Sequence, residues 1–124
     1  MNVEEINSLV LAYIGDNVYE SYIRHFLVLK GINNVNDLQK EAVKYVSAKA
    51  QASFVKTMIE NNFLTEDEIR IFTRIRNHKG HGHPKSCNVI TYKHSTGLEG
   101  LIGYLDMTNN KERIEEIMNF IIGE

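Results

Sequence analysis

Ile6-Asn7-Ser8-Leu9-Val10-Leu11-Ala12-Tyr13-Ile14-Gly15-Asp16-Asn17-Val18-Tyr19-Glu20 is the stretch on which the reading of the fold turns. Ile6, Leu9, Val10, Tyr13 and Ile14 recur at the spacing of one face of an α-helix. Gly15 then interrupts, and a second apolar series runs through Val18, Tyr22, Ile23, Phe26 and Leu27 as far as Gly31. The stretch therefore predicts two helices with Gly-Asp between them. Asp16 is then an N-cap, because a short carboxylate accepts from the exposed amides of a helix start. A competing reading is functional. A glycine inside two strongly helical segments costs about 1 kcal/mol, and such a cost is often retained where a carboxylate must be presented.

Working outward, nearly every other segment also reads as an amphipathic helix. Leu38, Ala42 and Tyr45 mark a third. A fourth, from about Ser47 to Asn62, carries Ala48, Ala52, Val55 and Ile59 on one face. Thr65-Glu66-Asp67-Glu68 forms a capping box that opens a fifth, with Ile69, Phe72 and Ile75. Leu98, Leu101, Ile102 and Leu105 define a sixth. A seventh begins near Asn109, with Glu112 completing its cap, and buries Ile114, Ile117, Met118 and Ile121. No segment sustains the two-residue alternation of a strand. Only Cys87 to Tyr92 has room to be extended. The fold class is all-α, with about seven helices in one domain over residues 1–124. Gly80, Gly82 and Pro84 mark residues 79–90 as a loop, longer than a usual connection and so a functional candidate.

Composition narrows the function. The chain has 124 residues, 43% of them hydrophobic, one cysteine and a formal net charge of -2. An internal disulfide framework is excluded. No apolar run is long enough for a membrane span, and the acidic start is unlike a signal peptide, so a cytoplasmic protein is expected. Charge is unevenly spread. Arg70 to Lys93 holds six of the 14 Lys and Arg and none of the 16 Asp and Glu. Such a basic segment on an acidic chain suits a polyanion, although a solvated loop has the same composition.

Two further constellations bear on chemistry. In Ser95-Thr96-Gly97-Leu98-Glu99-Gly100-Leu101-Ile102-Gly103, Thr96 and Glu99 fit a capping box. Yet Glu99 lies between core positions, and Gly100 and Gly103 leave space for a helix or a ligand to approach. A partly buried carboxylate without a basic neighbour needs a partner, and a metal cation is one solution. His78, His81 and His83, with Cys87 beyond them, are potential zinc ligands, but their spacing fits no paired-ligand pattern. A loop that faces RNA accounts for them better. Cys87 lacks the partners of a thiol nucleophile.

Taken together, the motifs resemble a known family. Leu11 to Glu20 resembles the signature helix of the ribonuclease III family, and Leu98 to Gly103 resembles its second acidic motif. Tyr45 to Ala52, Arg74-x-Arg76-Asn77-x-Lys79, Pro84-Lys85 and Thr96 to Leu105 are similar to the Mini-ribonuclease III branch, so the likeness spans essentially the whole chain. It implies an all-helical homodimer that uses magnesium to hydrolyse double-stranded RNA, without the separate RNA-binding domain of longer relatives. The branch's task is trimming both ends of the 23S ribosomal RNA precursor, with a ribosomal protein as a second candidate partner.

On this resemblance Asp16 and Glu99 are the expected catalytic and metal-holding residues. Arg74, Arg76, Asn77, Lys79 and Lys85 are the expected RNA contacts. Two departures stand out. Ribonuclease III proper has further acidic residues where this chain has Ala12 and Thr96, which puts the metal count in question. Glu20, one turn after Asp16, is an auxiliary carboxylate at most. The rival reading is a non-catalytic RNA-binding helical module with a degenerate acidic site. A helical protein-interaction domain would explain the apolar faces but not the paired motifs.

Overall fold

The computed structural model of the chain describes residues 2–80, 82, 85 and 87–123. Among them a short 3-10 turn, Val3–Glu5, precedes six α-helices: α1 (Ser8–Leu29), α2 (Val35–Val46), α3 (Ala48–Glu60), α4 (Glu66–Arg76), α5 (Val89–Met107) and α6 (Lys111–Ile122). No strand occurs among the described residues.

The largest departure from the sequence reading lies in its opening stretch. Gly15 does not break the helix: α1 runs unbroken for 22 residues, with Asn7 as its N-cap, accepting from the Leu9 amide. Asp16 is therefore a mid-helix residue and not a cap. Six helices result where about seven were expected. The buried face is also rotated. Leu11, Gly15, Tyr19, Ile23 and Leu27 face inward at four-residue spacing, whereas Val10 and Tyr13 are exposed. The physical reason is steric. The side of closest approach is the one that carries no side chain, and a count of large apolar residues cannot detect it.

That approach is to α5, the axle of the fold. A Cβ built on Gly15 would overlap the carbonyl oxygen of Glu99, and one on Gly103 would overlap that of Leu11. The two helices thus meet backbone to backbone. Gly97 and Gly100 serve a different neighbour: Phe72 and Ile75 of α4 fill the space above them. Ser95 to Leu98 and Gly100 to Gly103 are all buried, so α5 is surrounded by the other helices. Leu98, Leu101, Ile102 and Leu105 join Ile71, Phe72, Ile75, Val55 and Met58 in one core. Ile114, Ile117, Met118 and Ile121 of α6 complete it, as their periodicity predicted.

Caps set the helix limits. The Thr65–Glu68 capping box is present, with both reciprocal bonds. The other two expected boxes are not. α5 begins two turns before Thr96, at Val89, capped by Asn88 accepting from Thr91. Residues 89–92 are therefore helical and not extended. Thr96 instead donates to the Tyr92 carbonyl at 3.0 Å, a bond made within the helix. α6 has Asn110 at its N-cap with no side-chain cap bond. On α3 the core face is Gln51, Val55 and Met58, one position round from the face expected through Ala48 and Ala52.

Candidate active site

Asp16 and Glu99 come from the two helices that cross at Gly15. The crossing leaves the Asp16 side chain exposed at the surface of α1 and the Glu99 side chain half-buried below it. The two carboxyl groups line the same cleft and act on each other electrostatically. Burial first, and then the neighbouring Asp16 carboxylate, push the Glu99 carboxyl up to about 9; Glu20 adds to the rise. Two acids forced this close cannot both ionise cheaply without a cation. Among the described residues, no Lys or Arg forms an ion pair with either.

The pair sits in an open cleft of about 420 Å³ lined also by Ala12, Tyr13, Gln51, Tyr92, Ser95 and Thr96. Gln51 and Ser95 were missed by the sequence reading. Gln51 is only 1% exposed, and its amide Nε2 donates to Glu99 Oε2 at 3.5 Å. Ser95 Oγ donates to the other end of the same amide, Gln51 Oε1. The available signal was a polar residue in register with Val55 and Met58 on a core face. Tyr19, fully buried on α1, donates its hydroxyl to the Tyr45 carbonyl at 2.6 Å and so pins α1 to the end of α2. Burial and the Glu99 charge both hold that phenol far above its usual range.

The donor set suits a hard divalent cation, since carboxylate oxygens are its preferred ligands. Among the described residues no group of three or more His, Cys, Asp and Glu side chains gathers to hold a metal. Ala12 and Thr96, the two departures noted in the sequence, both face this same cleft. Glu20 acts on Glu99 through charge but is bonded to Arg24 at 3.1 Å.

The expected RNA contacts fall into two groups. Arg74 is held at 2.8 Å by Glu4, which also takes bonds from Arg70 and from Tyr104. Those bonds, Arg70 first, keep the Glu4 carboxyl below its ordinary value. Arg74 is not among the cleft residues. Arg76 lies over the Phe72 ring and donates to Asn77 Oδ1 at the end of α4. Lys79 and Lys85 are exposed in the segment between α4 and α5, whose Gly82 lines the cleft. His78 accepts from the Gly80 amide through Nδ1. His81 and His83, from the histidine group read above as zinc ligands or an RNA-facing loop, and Pro84 lie outside the described residues. No helix among the described residues is long and apolar enough to cross a membrane.

Comparison with known proteins identifies the family. The model of the ribonuclease III domain matches residues 9–110. A protein of Streptococcus pneumoniae named Mini-ribonuclease 3 is 48% identical over 122 residues, covering 98% of this chain and 95% of its own. Those of Enterococcus faecalis and Staphylococcus aureus are 47% and 39% identical, covering 96% and 98% of this chain and 90% of their own. A crystal structure of a Fusobacterium nucleatum protein superposes with a TM-score of 0.86 at 33% identity, over 97% of this chain and 96% of that one. With the family model over most of its length and such relatives across nearly all of it, this chain belongs to the ribonuclease III family of endoribonucleases, in its Mini-ribonuclease III branch.

Proposed function

We propose that this chain is a magnesium-dependent endonuclease of double-stranded RNA in which Asp16 and Glu99 hold the cation. The observation that carries this reading is the pair of carboxyl groups facing one open cleft, with no cationic side chain paired to them among the described residues. Magnesium, when bound, offsets charge at the scissile phosphate and acidifies the attacking water. The chain's own residues do the remainder. The Gly15–Gly103 crossing fixes the two carboxylates relative to each other, and the open cleft admits a phosphodiester. Arg76 and Asn77 at the end of α4, with Lys79 and Lys85 in the segment whose Gly82 lines the cleft, serve as phosphate contacts. A-form RNA is read by its shape, its phosphates and its 2′-hydroxyls, which suits such a set. The products carry 5′-phosphate and 3′-hydroxyl ends.

The working unit we propose is a homodimer, which sets one site against each strand. Its support is an outward apolar strip of Val10, Ile14 and Met107, with Val10 50% and Met107 40% exposed. Sedimentation should report a dimer, and Val10→Asp should shift it to monomer. The substrate we propose is the 23S ribosomal RNA precursor in the cytoplasm, presented with a ribosomal protein.

Ala12 and Thr96 favour the rival, a non-catalytic RNA-binding module. One assay separates them: a structured RNA duplex is incubated with magnesium and either the wild-type protein or Asp16→Asn. Cleavage by the wild type alone supports the proposal. Cleavage by both proteins, or by neither, overturns the role of Asp16.

A further inference from the structure

Gln51 is a costly residue where it stands. It occupies a core position of α3, 1% exposed and facing α5, and a buried amide must find partners for both its ends. Those partners are specific. Ser95, itself 4% exposed, donates its hydroxyl to Oε1. With Oε1 toward Ser95, Nε2 points toward Glu99; the Ser95 hydroxyl can donate or accept, so the ionised Glu99 carboxylate, which only accepts, is what selects this orientation. Nε2 in turn meets Glu99 Oε2 at 3.5 Å, the long end of hydrogen-bonding range. The reverse orientation would set a carbonyl oxygen against a carboxylate. Ser95 and Glu99 are one helical turn apart on α5, so α5 supplies both ends of the chain and α3 supplies the link.

We propose that Gln51 is a positioning residue, which with Ser95 holds the Glu99 carboxylate in the orientation that meets a divalent cation beside Asp16. It neither touches substrate nor binds the cation. Its amide satisfies one oxygen of Glu99 and leaves the other free, and a hydrogen bond to the ionised acid is stronger and shorter than one to the neutral acid. The inference rests on the reading of Asp16 and Glu99 as the metal-holding pair. Outer partners of this kind change metal affinity or activity by about 10- to 100-fold when removed.

The test is Mn²⁺ binding to the RNA-free protein, followed by electron paramagnetic resonance of the free ion. Four forms are compared: wild type, Gln51→Leu, Ser95→Ala and the double variant. Each is checked for folding by circular dichroism. The expected result is that Gln51→Leu weakens Mn²⁺ binding by about tenfold and Ser95→Ala by less. The double variant should match Gln51→Leu alone, because Ser95 acts only through Gln51. In duplex cleavage the same variants should need more magnesium while KM for RNA stays unchanged. Wild-type Mn²⁺ affinity in folded Gln51→Leu overturns the proposal, as does a Ser95→Ala effect that persists in full on the Gln51→Leu background. Should Gln51→Leu fail to fold, Ser95→Ala decides alone: weakened binding at unchanged melting temperature supports the proposal, and unchanged affinity overturns it. Absence of Mn²⁺ binding to the wild type would instead overturn the underlying reading of Asp16 and Glu99, and the proposal with it.

Discussion

Gly15 of α1 lies directly against the main-chain carbonyl of Glu99 on α5, with the Gly103 amide beside it. This contact gives the site its geometry: Asp16 follows the glycine on one helix, and the Glu99 side chain leaves from the opposing backbone. The glycine costs α1 about 1 kcal/mol of propensity, offset by helix packing closer than any side chain allows.

Gly15→Ala should therefore destabilise the protein although alanine favours helix. Its methyl group would meet backbone, which cannot rotate away, so α1 and α5 must separate. The expected loss is about 1–3 kcal/mol or more in urea unfolding. Gly103→Ala should behave alike, since its neighbour is the Leu11 carbonyl. Wild-type stability in both variants would contradict the close crossing.

A second expectation concerns pH. Glu99 is pushed from its ordinary 4.5 up to about 9, by burial and then by Asp16. A carboxyl with a raised folded-state value contributes stability below its unfolded value, and that stability is lost as pH rises through the folded value. Between about pH 4.5 and 9 the metal-free wild type should thus lose melting temperature relative to Asp16→Asn, which removes one of the two charges. Magnesium at pH 8 should raise the wild-type melting temperature and leave that of Asp16→Asn nearly unchanged. Parallel pH curves for the two metal-free proteins would contradict the coupling.

The basic residues should divide by role. Lys79→Ala and Lys85→Ala should weaken duplex binding and reduce the salt slope by about one each, with melting temperature unchanged. Arg74→Ala should instead lower the melting temperature, because Glu4 then loses a bond that fastens the N-terminal turn to α4. A loss of RNA affinity without a loss of stability in Arg74→Ala would place that side chain among the RNA contacts after all.

Away from the site, Arg113 of α6 donates to both oxygens of Glu68 at 2.7 and 2.8 Å and to the Phe63 carbonyl. Burial alone would raise Glu68, but the Arg113 bonds and the Thr65 cap outweigh it and hold the carboxyl low. The stability it contributes is present above its unfolded value and lost as pH falls through the folded one. Arg113→Met should cost about 2–3 kcal/mol at neutral pH, and the difference from wild type should shrink in acid. A constant difference across that range would assign the effect to packing alone.

These residues also show what the sequence could disclose. The core faces of α5 and α6 followed from periodicity, because large apolar side chains mark them. The Thr65–Glu68 box followed from local chemistry. α1 was misread at Gly15, because local propensity marks a glycine as a break, whereas tertiary contact with Glu99 makes it the tightest point of the helix. Thr96 and Glu99 imitated a helix start for the same reason: the true start at Val89 is fixed by Asn88, further back. Gln51 was hidden by its type. A polar residue among alanines reads as surface, and only the approach of Ser95 and Glu99 from α5 gives it partners. The pairing of Asp16 with Glu99 was suggested by resemblance alone, since distance between helices is invisible to any local pattern.

Whether Asp16 and Glu99 together hold a divalent cation is decided by a crystal of the protein soaked in Mn²⁺. An anomalous difference peak is expected in the cleft, in contact with both carboxylates directly or through water, and lost in Asp16→Asn. A peak bound elsewhere, or a cleft that stays empty at saturating Mn²⁺, would contradict it.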